Sequence, residues 1–278
     1  MTMSQQLIDK EQINDPRHWR LALRVGDHQL HIVAYDSSQD NSLIYRHLPV
    51  NGDTPEARLK SLEEAVYDIP ALLLDFGRVD VVVESRAFVV LPEALGDAEN
   101  AGLALESLFP KSEGETVMSS LQGLGAVIAS RVDGGVASFL RRTFNNPRFH
   151  HHLSPLCRYF HHKSRLGNTG KMYANLRDGA MDVIAFGGSG LILANTFPID
   201  APEDALYYIL ACRGQLGAAD VGEELFLAGD KAMREALTPM LREYIAYVMP
   251  VIFPSGLFRM GREAMEAPFD LIILPLCE

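Results

Sequence analysis

Histidine gathers in one stretch of this chain: His150, His151 and His152 precede Cys157, and His161 and His162 follow it. Imidazole and thiolate are zinc-type ligands, and in a helix from Ser154 to His162 the pair Cys157 and His161, four apart, would share a face. Consecutive histidines on a strand instead point to alternating faces, and no acid or second cysteine stands at a zinc-like spacing to complete a tetrahedral set. The pattern is read as a half-buried strand leading into a polar helix, with no metal site, whose charge changes near pH 6. Gly187-Gly188-Ser189-Gly190 has strand-like runs on both sides and no following helix or Lys-Ser/Thr, so it predicts a hairpin turn needing positive φ rather than a phosphate cradle. Gly123-Leu124-Gly125 is too short to specify a site. No Gly-x-Ser-x-Gly, His-Glu-x-x-His or Ser-x-x-Lys spacing occurs, which leaves hydrolase and protease chemistry without a template. One dense positive stretch remains, 139–171, where Arg141, Arg142, Arg148, Arg158, Lys163 and Arg165 stand among Phe139, Phe144, Phe149, Tyr159 and Phe160. Arginine beside aromatic rings is the composition of interface hot spots; the competing reading is solvated arginines over core aromatics.

Composition bounds what these residues can serve. The chain has 278 residues, 47% hydrophobic and 22% charged, which is enough apolar material for one large or two modest globular domains. With 36 acidic against 25 basic residues the formal charge is −11, so its mean field repels phosphate backbones and nucleic acid is not expected as a partner. No run reaches the roughly 20 apolar residues of a membrane span, and the first residues carry no apolar leader segment, so a cytoplasmic location is expected. Cys157, Cys212 and Cys277, odd in number and widely spaced, read as reduced thiols.

Residues 1–17 are polar and aperiodic and are expected to form a tail. From Leu21 to Tyr35 apolar residues alternate around Gly26-Asp27-His28, a hairpin, and a third strand follows at Ser42–Val50. Thr54-Pro55-Glu56 then opens a helix with a hydroxyl N-cap and Pro at its first position, carrying a stripe Leu59, Leu62, Val66, Ile69 and Leu73. Val79–Glu84 and Ala87–Val90 read as strands, and Ser130–Phe144 as a strand passing into a helix after Gly134-Gly135. The second half repeats this order. Leu30–Tyr35 lies over Met181–Phe186 without a gap back to Arg24 over Asn175; Leu48-Pro49-Val50 then falls over Phe197-Pro198-Ile199, and Thr54-Pro55-Glu56 over Ala201-Pro202-Glu203. This is the signature of a duplicated β-β-β-α unit. Leu225–Ala228, Val248–Phe253 and Phe269–Leu276 are expected as strands and Asp230–Tyr247 as a helix.

Two tandem β-β-β-α-β-α units are the plan of the actin-like ATPase (ribonuclease H-like) fold. In the second half Asn175-Leu176-Arg177, Gly190-Leu191-Ile192-Leu193-Ala194-Asn195, Glu203-Asp204-Ala205 and Glu224-Leu225-Phe226-Leu227-Ala228-Gly229-Asp230 resemble the pilus-assembly and type II secretion branch. Over about 18–276 the chain resembles an uncharacterised bacterial family assigned this fold. The resemblance implies an α/β protein with lobes at 18–165 and 166–278 and a central cleft. It also implies Asp-x-Gly in the first hairpin turn of each lobe, where the acid holds Mg²⁺ and glycine admits a phosphate. Here those places read Arg24-Val25-Gly26 and Asn175-Leu176-Arg177, and the glycine-rich turn below adenine is reduced to Ala228-Gly229-Asp230. Loss of all three implies a pseudoenzyme without ATPase activity or cofactor, which works by binding a protein partner or a second copy of itself. Two alternatives stay open: a metal-independent site for an anion or nucleotide in the cleft, at Arg24, Gly26, Asn175, Arg177 and Gly229, or an ATPase using the displaced acids Asp27 and Asp178.

Overall fold

In a computed structural model of the chain, the described residues are 8–165, 170–217 and 222–277. They form two compact units. The first takes in residues up to 120, 126–152 and 254–274; the second takes in 121–125, 153–253 and the residues from 275.

The first unit is built on a five-stranded sheet of β1 (Trp19–Val25), β2 (Gln29–Asp36), β3 (Ile44–Pro49), β4 (Arg78–Val83) and β8 (Arg148–His151), in the order β3-β2-β1-β4-β8. Strand β1 runs antiparallel to β2 and parallel to β4. Because side chains alternate along a strand, Leu21, Leu23, Val25, Leu30, Ile32, Val79, Val81 and Val83 share one face. They pack against Leu62 and Val66 of α1 (Pro55–Tyr67) and Ala137 and Leu140 of α3 (Gly134–Thr143). As expected, Thr54 caps α1, its hydroxyl accepting from the Ala57 amide, and Pro55 is the first residue. Between β4 and α3 the chain inserts a small sheet, β5 (Phe88–Pro92), β7 (Ala126–Val132) and β6 (Glu115–Leu121) in that order, covered by α2 (Ala98–Leu108) through Ala101 and Leu105.

The second unit repeats the first sheet: β9 (Lys171–Arg177), β10 (Ala180–Gly187), β11 (Gly190–Pro198), β12 (Glu224–Gly229) and β13 (Tyr247–Pro250), in the order β11-β10-β9-β12-β13. Arg24 faces His31 across β1 and β2 as Asn175 faces Asp182 across β9 and β10. Leu30 faces Leu48 as Met181 faces Phe197. The Glu84 amide donates to the Val25 carbonyl as the Asp230 amide does to Leu176. Helices α5 (Pro202–Leu216) and α6 (Lys231–Leu241) cover the core face through Ile209, Leu237 and Leu241. Gly188-Ser189 forms the tight β10–β11 turn, with Gly190 at φ +115°.

The structure departs from the sequence expectations in several places, one being that the helix expected at Asp230–Tyr247 ends at Leu241 and Tyr247 opens β13. Residues 8–17 are no loose tail: Ile8 and Ile13 are 3% and 4% exposed in the first core, and two short 3₁₀ turns are capped by Asp9 and Asp15; residues 1–7 lie outside the described residues. The expected divide at 165/166 falls at 152/153, because α4 (Leu153–Ser164) is not polar but buries Leu153, Leu156, Cys157 and Phe160, the last stacked on Tyr173 at 4.2 Å. Of the polar stretch Lys163–Gly170 at the expected divide, residues 166–169 lie outside the described residues. Phe269–Leu276 is two helical turns, not a strand; a short apolar run fits a buried strand or a buried helix equally, and Pro268 before it and Pro275 within it favour the latter. The strand expected at Val248–Phe253 stops at Pro250, which cannot donate to a ladder.

Candidate functional site

The ends of the two duplicated hairpins are where the resemblance places metal and phosphate contacts. In the first unit β1 turns Arg24 away from the apolar core, onto the sheet's second face. Arg24 is 5% exposed. Its Nη2 lies 2.7 Å from Glu84 Oε1 at the end of β4, and its Nε lies 3.2 Å from Asp270 Oδ2 in the C-terminal segment. Gly26 packs so near Glu84 that a Cβ would come 3.0 Å from its Oε1. Beside Arg24, His31 Nδ1 lies 2.9 Å from the Tyr45 hydroxyl, with the two rings parallel. Burial and then the Arg24 charge lower the His31 pKa to about 4, and burial raises the Tyr45 hydroxyl to about 12. The cluster is a neutral imidazole and phenol around a doubly paired guanidinium.

The second unit solves the same place with different residues. Asp182, fully buried on β10, accepts from Asn175 Nδ2 at 3.0 Å, from Arg177 Nε and Nη2 at 2.9 Å each, and from the Thr196 hydroxyl at 2.9 Å. Arg177 is thereby held in a bidentate pair with its own neighbouring strand. Gly229 has φ +84°, and a Cβ there would lie 1.9 Å from the Leu176 carbonyl oxygen. Its glycine is required by the approach of β12 to β9, whatever else the turn does. Asp230 is the N-cap of α6, accepting from the Met233 amide at 2.7 Å. Asp27 and Asp178 stand exposed on the hairpin turns.

The sequence singles out the two arginines, and the structure gives their partners as Glu84 and Asp270 for Arg24 and Asp182 for Arg177. Asp182 was within reach, since the repeat sets it opposite Asn175. Asp270 was not, lying 246 positions from Arg24 in a segment read as a strand.

The rings of His151 and His152 lie 4.2 Å apart, while His150 and His151 take separate polar partners. His150 Nε2 lies 2.9 Å from Asp80 Oδ1, which Arg78 also holds, and His151 Nε2 lies 3.0 Å from the Ser85 carbonyl. Among the described residues no three His, Cys, Asp or Glu side chains are grouped to hold a metal. Cys157 is fully buried and its thiol is pushed up by that burial. The 139–171 segment loses its aromatic surface: Phe139, Phe144, Tyr159 and Phe160 are buried. Arg141 pairs with Glu115 at 2.6 Å and lies over the Phe149 ring, and Arg142 approaches Glu63 at 3.4 Å. The aromatics were core-forming residues whose strand and helix periods overlap the basic ones.

Two sheets of identical strand order, each entered by a β-β-β-α unit, define the actin-like ATPase fold. The chain is similar over 98% of its length, and 100% of the other's, to a Bacteroides thetaiotaomicron protein with actin-like ATPase fold and unknown function, at 25% identity and a TM-score of 0.78. It is also similar to a chain of a PilM-PilN type IV pilus biogenesis complex, at 14% identity and a TM-score of 0.58 over 93% of this chain and 98% of that one, which shows the fold alone. The chain belongs to the family described as Protein of unknown function (DUF3822), matched over residues 9–248. No curated protein matches it. Among the described residues no helix is long and apolar enough to cross a membrane.

Proposed function

We propose that this chain is a non-catalytic binding or scaffold protein, a pseudoenzyme of the actin-like ATPase fold that acts through protein–protein recognition. One observation carries the reading: both hairpin ends are closed by ion pairs internal to their own unit, Arg24 with Glu84 and Asp270, and Arg177 with Asp182. Metal-dependent phosphoryl transfer needs carboxylates free to hold the ion and an open approach for phosphate. Here guanidinium groups stand at those positions and their charge is already neutralised. The same pairing weighs against the alternative of a metal-independent anion site, since an anion would have to displace a bonded carboxylate at each arginine. The PilM-PilN neighbour, a fold relative seen in complex with another protein, supports recognition as the working mode. The net charge of −11 supports a protein rather than a nucleic acid as what is recognised, and three free cysteines support a cytoplasmic setting.

Thermal-shift measurements with ATP plus Mg²⁺, ATP plus EDTA, and phosphate test the reading, because a ligand that binds only the native state raises its melting temperature. No shift is expected in any arm. A rise that requires Mg²⁺, with hydrolysis abolished by Asp27→Ala or Asp178→Ala, would overturn it; a rise with phosphate alone would favour the anion site.

A further inference from the structure

The acids at the two hairpin ends come from unrelated places in the chain, whereas the groups that hold them lie on one face of each sheet. In the second unit Asn175 of β9, Asp182 of β10 and Thr196 of β11 stand opposite one another, and Arg177 shares their face two residues along β9. Three side chains thus converge on one carboxylate. Arg177 donates from Nε to Asp182 Oδ2 and from Nη2 to Oδ1; Asn175 Nδ2 donates to Oδ2 and the Thr196 hydroxyl to Oδ1, all at 2.9–3.0 Å. The guanidinium fork matches the carboxylate plane, and each oxygen takes a further donor. Asn175 Oδ1 is buried and has no hydrogen-bond partner among the described residues. An orphaned amide oxygen is costly, so the place of this side chain is explained by its donor end, which is aimed at the carboxylate.

The first unit shows that the sheet itself does not call for an acid at this place. Its corresponding row reads Arg24, His31 and His47, an imidazole standing where Asp182 stands. Arg24 is met by carboxylates nevertheless, Glu84 from the end of β4 and Asp270 from a segment, 254–274, that joins this unit from far along the chain. The arginine belongs to the first strand of each unit; the acid arrives from β10, from β4 or from the C-terminal segment. A carboxylate supplied by such different elements is held by what surrounds it rather than by its own place in the fold.

We propose that the second hairpin end is a preformed receptor for a small carboxylate, built from Asn175, Arg177 and Thr196, and that Asp182 is the ligand it holds in the folded chain. The receptor suits a planar monoanion. A tetrahedral phosphate, with more than one charge near neutral pH, exceeds both the plane of the fork and the charge of Arg177. This goes beyond the binding-protein reading, which stands if the receptor fails, since the Arg177–Asp182 pair closes the hairpin either way.

Chemical rescue of the full chain tests it. Asp182→Ala deletes the carboxyl group and leaves its surroundings, so formate, which is that group with one hydrogen, should refill the place. Melting curves are taken for the wild type, for Asp182→Ala and for the double variant Asp182→Ala with Arg177→Met, in sodium formate, phosphate or chloride of equal ionic strength up to about 100 mM. Asp182→Ala is expected to melt below the wild type and to regain on the order of 3 °C in formate over chloride, half of it by about 10 mM, with phosphate acting as chloride does. The wild type, whose receptor is full, and the double variant, which lacks the fork, should melt alike in all three salts. If Asp182→Ala does not fold in chloride, refolding from urea into each salt replaces the melting curve, and recovery confined to formate supports the receptor. Equal melting or equal recovery of Asp182→Ala in formate and chloride overturns the proposal, as does a formate effect of the same size in the wild type or the double variant.

Discussion

Single side chains at the hairpin ends carry opposite consequences for pH and for packing. His31 in the folded chain has a pKa near 4, below the 6.5 of an exposed imidazole, because burial and Arg24 disfavour its charged form. The unfolded chain binds the proton more readily, so stability is complete above 6.5 and falls as pH drops from 6.5 towards 4. Asp36 and Asp80 do not blur this window. Despite burial, which raises them, Ser38 and Gln39 hold Asp36, and His150 and Arg78 hold Asp80, below the usual carboxylate range; their contributions are lost only at lower pH. Denaturant melts at intervals from pH 7 to 4 should show a loss on the order of 2 kcal/mol that His31→Asn reduces; an unchanged slope in the variant would assign the loss elsewhere. Asp182 gives the packing counterpart. Asp182→Asn leaves the buried Arg177 guanidinium uncompensated and should cost about 3–5 kcal/mol by urea unfolding of the second unit, whereas an exposed pair would cost under about 1. The site residues were legible as departures from a pattern, Arg24 and Arg177 standing where acids and glycine are implied. Their partners were legible only where the repeat fixed register, as for Asp182; Asp270 is brought to Arg24 by tertiary folding alone.

Among the elements, the C-terminal segment 254–274 does the most for the least regular structure. It buries Leu257, Ala264, Leu271 and Ile272, carries Asp270 to Arg24, and supplies the carbonyls and the Glu263 carboxylate that occupy the β3 edge. Ending the chain after Phe253 should therefore leave a buried-type arginine half-paired and an edge open. The expected outcome is a truncated protein that aggregates or, if soluble, is cut by protease within the first unit while the second keeps its protection. Protection equal to the full chain in both units would show the segment to be dispensable. Periodicity predicted the paired strands, α1, α5 and the glycine turn at Gly188-Ser189 because each has a local cause: alternation, a Thr54 cap, a proline at the first helical position. It missed α2 and β6, which lie in the inserted sheet and have no counterpart in the second half to compare with. It misread α4 because His161, His162 and Lys163 at its end mask the apolar face of Leu153, Leu156 and Phe160.

At the scale of the whole molecule, the duplication was readable because 30–35 and 181–186 align without gaps, and the shared strand order shows why: each copy must turn the same residues towards the same core. What the repeat could not show is which stretches of chain each core finally collects. The two units have separate apolar cores, but only the second draws its sheet from one unbroken length, 171–250. The first is interrupted, opening at the N-terminal end and closing with 254–274. During synthesis the strands β1–β4 and β8 leave the ribosome well before the segment that brings Asp270 to Arg24 and bonds along the β3 edge. At roughly 5–20 residues per second, the roughly 100 residues between His152 and Pro254 impose a wait on the order of ten seconds. Throughout that interval Arg24 lacks its Asp270 partner and the amides of Asn41, Leu43 and Tyr45 stand open, an edge of the kind that pairs with other strands. The second unit can meanwhile collapse on contacts already translated. The lobe that emerges first is thus the one completed last, and slow or stalled translation after β13 exposes it longest.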